Sequence, residues 1–419
     1  MKIGLIYPTY LPSFGGAERY EHKLGVCLES LGHEVFVFAG RSKDSDKFNG
    51  TLKAHRCTQF GEFSAASIWG LGQNLSSEYF SRLIVHYNFI ESAITWIEQT
   101  KCDLVIVGNG FAVAAMIHAR ELYASVRSMG IPIGLIHHDN SQTVESHIKE
   151  IYLNTGKSWD EAANMFIEAI CVSKQDLDDL TFLIAGIDSP LVLRPDFVIC
   201  NSHWTQRFID PFGTVPKFVF HPPLITDENA GSPDSTPSSL SKVDVTFVNP
   251  QTRKNPELML AIIEQNPTFT YRILEGGWGA AFKTFKPAVE KTVAFKDGNI
   301  ELIRYLPDIA SAYQNTETLV FPSYAEGYGM TAVEPLRFGV GVLASSYPSI
   351  SEALGNGGLS KCPYRDKYEE WTEALLELLN DRQSRRMKAL GRVDQIISRD
   401  RNELHALNVF LSKMGANFA

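Results

Sequence analysis

Phe321-Pro322-Ser323-Tyr324-Ala325-Glu326-Gly327-Tyr328-Gly329-Met330-Thr331-Ala332-Val333-Glu334 reads as the end of a buried strand, a glycine-bearing loop and the start of a helix. The apolar run over 318–321 supplies the strand, Pro322 ends it, and 331–338 carries the helical pattern. The loop glycines let a ligand come close to the backbone, and a helix start just beyond offers N–H groups to an anion. Glu326 and Glu334, with seven residues between them, are carboxylates able to accept hydrogen bonds from vicinal hydroxyls. The same stretch also has a purely structural reading, because Thr331-x-x-Glu334 has the spacing of a capping box serving its own helix terminus.

The strand–loop–helix rhythm continues on both sides of this stretch. Strands are expected at 243–248, 270–274, 301–305, 318–321 and 342–344, with helices at 256–265, 309–314 and around 368–379. The earlier part of the chain repeats the pattern, with strands at 2–7, 33–39, 104–108, 131–137 and 197–200 and helices at 17–31 and 112–128. Residues 145–188 read as additional helices. Apolar strands without clean alternation suggest parallel sheets covered on both faces. Two such βα series predict two doubly wound sheets facing a central cleft, with ligands at the carboxyl ends of the strands. Residues 221–242, rich in Pro, Gly, Ser and acidic residues, separate the series. The expected division is therefore a first domain at 1–222, a linker at 223–242 and a second domain at 243–395, with a final helix at 396–419 that rejoins the first domain.

Bulk composition agrees with two domains. The chain has 419 residues, 44% hydrophobic and 21% charged, as globular proteins do. A formal net charge of −9 argues against nucleic acid as a partner. Six scattered cysteines without a CxxC pair suit neither a zinc site nor a disulfide framework, and read as free thiols in a reducing cytoplasm. No apolar run approaches a membrane span, and the N-terminal apolar stretch is too short for an export signal. The expected location is cytoplasmic. Peripheral membrane contact and oligomeric state are left open.

Three further segments carry chemistry. Pro12-Ser13-Phe14-Gly15-Gly16-Ala17-Glu18 follows the first strand and opens the first helix; Gly15 and Gly16 allow an anion close to a helix start. It is not the GxGxxG fingerprint of dinucleotide enzymes. Phe247-Val248-Asn249-Pro250-Gln251-Thr252-Arg253-Lys254-Asn255 ends a strand with two adjacent cations, Arg253 and Lys254. Ile136-His137-His138-Asp139-Asn140 ends another strand with a histidine pair. No Asp-x-Asp or His ligand set argues for a metal, so none is expected.

Taken together, the pair Glu326/Glu334 in its strand–loop–helix setting resembles the E-x7-E motif of the family-4 retaining glycosyltransferases, and the glycine loop is similar to theirs. The resemblance spans most of the chain and is sparse over 40–100 and 145–190. It implies the GT-B fold, α/β with two Rossmann-like domains. The first would be the acceptor side and the second the domain for a nucleotide-sugar donor, UDP- or GDP-linked. It implies that Glu326 contacts donor-sugar hydroxyls and Glu334 the ribose. Gly327, Tyr328, Gly329, Met330 and Thr331 would line the donor site between them. His138 would lie beside the donor sugar, as in the family's strand-end His-Asp pair, with His137 the alternative. Leu306, in Tyr305-Leu306-Pro307, matches the segment whose backbone meets the nucleobase. Relatives place an arginine and a lysine–glycine pair on the diphosphate; here Pro250 stands near the arginine's place, Lys254 matches the lysine and Asn255 replaces the glycine. Either Arg253 or Lys254 could reach the phosphate. The implied reaction is sugar transfer with retention, by front-face attack without a protein nucleophile or a metal. Two other readings stand beside it, a nucleotide-sugar epimerase of the same fold and a non-catalytic sugar-nucleotide or glycan-binding relative. The sugar and the acceptor are not legible.

Overall fold

The computed structural model describes residues 1–7, 10–11, 16–40, 52, 54–57, 77–108, 113–138, 142–172, 195–208, 215–224, 240–275, 281–304, 306, 309–361 and 367–416. Gly15, Asn109, Gly110, Asp139, Asn140, Gly276, Gly277, Tyr305, Pro307 and most of 223–242 lie outside the described residues. The chain forms two compact units, Met1–Thr226 with Asp400–Ala419, and Asp227–Arg399.

The first unit contains β1 (Lys2–Tyr7), β2 (Glu34–Ala39), β3 (Ala54–Arg56), β4 (Leu104–Val107), β5 (Ile133–His137), β6 (Phe197–Cys200) and β7 (Lys217–Val219). They pair in the order β3-β2-β1-β4-β5-β6-β7, all parallel. The inner strands β4, β5 and β6 are buried at every residue, as apolar strands between two helical layers must be. Helices Gly16–Ser30, Ser77–Thr100, Val113–Ser128, Gln142–Thr155 and Trp159–Val172 belong to this unit. Because β2 lies on one side of β1 and β4 on the other, the chain reverses direction across the sheet between β1 and β4. In sheets of this kind that reversal point, at the carboxyl ends of the strands, is where ligands bind.

The second unit repeats the design with β8 (Val243–Val248), β9 (Tyr271–Leu274), β10 (Ile300–Ile303), β11 (Thr316–Phe321), β12 (Gly341–Ser345) and β13 (Leu359–Lys361). The order is β10-β9-β8-β11-β12-β13, again parallel, so its reversal falls between β8 and β11. Its core joins Val245, Phe247 and Ile273 of the sheet to Leu258 and Ile262 of helix Pro256–Gln265 and to Trp371 and Leu375 of helix Tyr368–Asn380.

The structure corrects several expectations. Strand 342–344 does not close the second series: helix Pro348–Leu354 and edge strand β13 follow it. The helix expected at 331–338 is a single α turn, Met330–Val333, followed by a 3-10 turn, Glu334–Phe338. Pro335 accounts for the change, since it has no N–H for an i−4 bond and its ring collides with the carbonyl of Thr331 in an α-helix. The stretch 221–224 is not linker-like. His221 and Leu224 are buried, and Glu403 bonds both the backbone N–H (2.9 Å) and Nδ1 (2.6 Å) of His221, while Asp400 accepts from the Leu224 N–H at 2.7 Å. The final helix runs unbroken from Arg382 to Ala416. Leu407, Leu411 and Met414 enter the first unit's core, and Phe410 packs on Phe197 and Phe218. No described helix is long and apolar enough to cross a membrane.

Candidate active site

In the second unit, the chemistry-bearing residues collect where β8 and β11 end, at the reversal point of the sheet. The loop after β8 is bracketed by Asn249 and Asn255, both with left-handed backbone (φ 55° and 54°). At 255 that conformation suits the glycine of relatives, and asparagine tolerates it well. Asn255 adds what glycine lacks, because its Oδ1 accepts the Leu258 N–H at 3.2 Å and caps helix Pro256–Gln265. Its departure from the family pattern therefore preserves the turn.

This loop is fastened to the loop after β11. The Tyr324 N–H donates to the Arg253 carbonyl at 2.7 Å, and Ser323 Oγ lies 3.2 Å from the same oxygen. The arrangement sets Lys254 against Glu326, whose carboxylate accepts from Lys254 Nζ and, at 2.6 Å, from Ser323 Oγ. Lys254 Nζ also stands 4.6 Å from the centre of the Phe321 ring, a cation–π distance. Ser349 Oγ donates to the Glu326 carbonyl at 2.6 Å and pins the backbone as well. Lys254 is buried and Arg253 exposed, which separates two cations that the sequence could not rank. Burial opposes the charge of Glu326, but Lys254, Arg253 and the hydrogen bonds from Lys254 and Ser323 outweigh it and hold the carboxyl below its ordinary range. An ionised carboxylate in a sheltered position is a strong acceptor for hydroxyls.

Beyond Glu326, Gly327 is half-buried and Tyr328 buried; Arg399 Nη1 donates to the Tyr328 hydroxyl at 2.6 Å. Gly329 has φ 94° and ψ 46°, a backbone conformation that favours glycine, and a Cβ there would press on Ile350 Cγ1 at 3.2 Å. Gly329 is also the N-cap of the short helix, and no side chain caps it. The Thr331–Glu334 capping box is therefore not formed: Thr331 lies inside the α turn and Glu334 opens the next one. With only one α turn there is little macrodipole; local N–H groups are what this end can offer an anion. Met330, Thr331 and Glu334 are half-buried, as is Leu306.

In the first unit, His138 follows β5 and is 6% exposed. Its Nε2 lies 3.3 Å from Oε1 of Glu21 on helix Gly16–Ser30, and its ring meets Tyr20 edge-on at 5.0 Å. Burial, helped by adjacent His137, pulls His138 down to about 3. Burial and then the charge of Glu18 push Glu21 well above the ordinary carboxyl range. Burial thus favours the neutral form of both partners. Gly16 begins the helix in the open, and no described atom lies within 4 Å of where its Cβ would be, so packing does not demand a glycine there.

The sequence reading named Glu326, Lys254 and His138 but missed their partners Ser323, Ser349 and Glu21. Glu21 had a signal: residues 18, 21, 25 and 28 share one face of the first helix, and two glutamates fall on its apolar stripe. Ser349 lies a helix further on and had none.

A family model for "Glycosyltransferase Family 4" matches residues 14–227, and one for "Glycosyl transferases group 1" matches residues 251–392. A D-inositol 3-phosphate glycosyltransferase of Rhodococcus erythropolis is 27% identical over 169 residues, 37% of this chain and 38% of that protein. The match thus spans little over a third of the relative. Sucrose-phosphate synthase of Thermosynechococcus elongatus superposes with a TM-score of 0.65 at 14% identity, covering 99% of both chains. Anabaena HepE, solved with UDP and glucose, also gives 0.65 at 14% identity, covering 98% of this chain and 99% of that one.

Proposed function

Since the chain belongs to glycosyltransferase family 4 and has the GT-B fold, we propose that it is a retaining glycosyltransferase, moving a sugar from a nucleoside-diphosphate donor to an acceptor. The observation that carries this reading is the ionised Glu326, held by Lys254 and Ser323 at the reversal point of the second sheet. Such a group aligns sugar hydroxyls; it is poorly suited to proton abstraction, being held ionised by a neighbouring cation. The diphosphate would lie over the loops of Arg253–Lys254 and Gly327–Thr331, with Leu306 near the base and Glu334 at the ribose. The UDP and glucose bound to HepE support a donor of this class.

In the transfer, the bond from the anomeric carbon to the diphosphate oxygen breaks, and the bond to the acceptor oxygen forms on the same face. The acceptor's proton passes to the leaving phosphate. Positive charge from Lys254 and Arg253 stabilises the diphosphate as it departs. His138, neutral across the physiological range, serves as a hydrogen-bonding group beside the sugar.

The test begins with a thermal-shift screen of nucleotide sugars, because a ligand that binds only the folded state raises the melting point. Proton NMR of the product then reads the anomeric configuration. An α-linked donor should yield an α-linked product, and a β product would exclude retention. Glu326→Gln should lower turnover at least ~10-fold while leaving nucleoside-diphosphate affinity nearly unchanged.

A further inference from the structure

Three features of the first unit are not used by this reading. Glu21 is 4% exposed, yet it lies on the helix face that packs against the sheet. Gly108, just past β4, passes so close that a Cβ would sit 2.2 Å from Glu21 Oε1 and 2.5 Å from Tyr7 Cδ1. Tyr7, the last residue of β1, is fully buried, and its hydroxyl has no hydrogen-bond partner among the described residues. Glu21 therefore occupies a slot at the β1/β4 reversal that exists only because residue 108 has no side chain. Among the described residues the pair makes one hydrogen bond of 3.3 Å, a small return for burying an acid and an imidazole, and an apolar residue at 21 would fill the same slot without that cost.

We propose that Glu21 is a positioning residue for sugar transfer: its carboxyl O–H donates to Nε2 of His138, fixing the ring and placing the imidazole proton on Nδ1. The proposal rests on His138 lining the donor-sugar site. The direction of the bond follows from matching donors to acceptors. In the neutral form that burial favours, Glu21 carries an O–H, and the unprotonated nitrogen of a neutral imidazole, 3.3 Å away, is the strongest acceptor near it. The reverse bond, Nε2–H to the carboxyl oxygen, would leave the acid proton without that acceptor. The other ionisable groups facing the pair are Glu18 and Tyr20 on the same helix, Tyr7 on β1, Tyr10, and His137 on β5; no cation figures among the charges that set either partner. With the tautomer fixed, Nδ1–H is a donor of constant direction for a sugar or phosphate oxygen.

Protein labelled with 15N-histidine reads this directly in long-range proton–nitrogen correlation spectra. The chain has 11 histidines, and the signals that vanish in His138→Gln identify the ring. Wild type should show unprotonated Nε2 and protonated Nδ1, without change from about pH 5 to about pH 8. Glu21→Ala should give mixed tautomers that titrate nearer the ordinary value of 6.5. Glu21→Gln, which keeps an N–H donor at the same place, should restore the Nδ1–H form. Gly108→Ala should reproduce the Glu21→Ala spectrum by pushing Glu21 aside, a second route should Glu21→Ala fold poorly. In transfer assays, Glu21→Ala should lose about tenfold or more in kcat with little change in donor KM, gain an acid limb near the histidine value, and be rescued by Glu21→Gln. An Nε2–H tautomer in wild type, a titration unaltered by Glu21→Ala, or unchanged kcat in that variant would each overturn the proposal. A wild-type chain that transfers no sugar would instead overturn the transferase reading, and the spectra would still decide the contact.

Discussion

Each unit shelters a glutamate at the reversal point of its sheet, Glu21 buried and Glu326 half-buried, and the two are shifted in opposite directions. The surroundings of Glu326 favour its charged form and those of Glu21 its neutral form, although both are sheltered from water. The difference lies in the neighbours. Glu326 faces Lys254, with Arg253 nearby and a hydroxyl from Ser323. Glu21 faces an imidazole that burial itself keeps uncharged, with another glutamate on its own helix. Burial raises the cost of charge in both places, and the presence of a cation within bonding distance decides which carboxyl ionises.

The comparison breaks most forcefully at Lys254. Lys254→Ala leaves the half-buried Glu326 without its contacting cation, and removing one partner of a largely sheltered pair costs up to about 3–5 kcal/mol. Urea denaturation should show that loss, and Lys254→Ala with Glu326→Gln should recover most of it. If the single variant lost less than about 1 kcal/mol, the pair would be behaving as an exposed one, and the contrast with Glu21 would disappear.

How far the sequence foretold this contrast depends on how local each cause is. Inner strands of the first sheet were legible because they are apolar runs such as Leu104–Val107 and Phe197–Cys200. The edge strands Ala54–Arg56 and Leu359–Lys361 were not, because half-exposed edges carry polar residues and lack the pattern. Helix Ser77–Thr100 was missed as well. Glu326 and Lys254 were legible from their places after strands β11 and β8. That they pair with each other depends on β8 and β11 being neighbours, a fact of topology and not of spacing. The break of the 331–338 helix was foreseeable from Pro335, yet a proline in a first turn is normally compatible with a helix. Pro335 is already the fifth residue of the expected helix, past its first turn, so its missing N–H breaks the ladder to Thr331.

The pH dependence of stability sharpens the contrast, because the two carboxyls must contribute slopes of opposite sign. Glu326 is held below its unfolded value of 4.5, so its contribution is present above that pH and fades as pH falls through the folded value. Glu21 is raised above 4.5, so its contribution is complete below that pH and fades as pH rises through the folded value. Each can change stability by up to about 1.4 kcal/mol per pH unit within its window. His138, at about 3, adds its own loss below 6.5, so each variant is compared with wild type, both carrying His138. The gap between wild type and Glu326→Gln should narrow on acidification below 4.5. The gap between wild type and Glu21→Gln should narrow on moving from acid to neutral and alkaline pH. Slopes of the same sign would mean that the two carboxyls do not differ in charge.

Glu334 supplies the smallest effect and the control for both. It is a half-buried carboxylate at the start of a 3-10 turn, and it does not cap the helix before it, because Gly329 holds the N-cap position. A working capping box would make Thr331→Ala cost about 1 kcal/mol, as losing a threonine cap does. Without the box, Thr331→Ala should stay within about 0.5 kcal/mol of wild type. Glu334→Gln should likewise leave the melting temperature nearly unchanged. What Glu334→Gln should alter is nucleotide affinity, since a ribose hydroxyl would lose its charge-assisted acceptor, worth about 1.5 kcal/mol or roughly tenfold in Kd. Calorimetric titration with a nucleoside diphosphate, run beside thermal melts, separates the two readings. A lowered melting temperature with intact affinity would make Glu334 a structural carboxylate, leaving Glu326 as the charged acid that serves the donor.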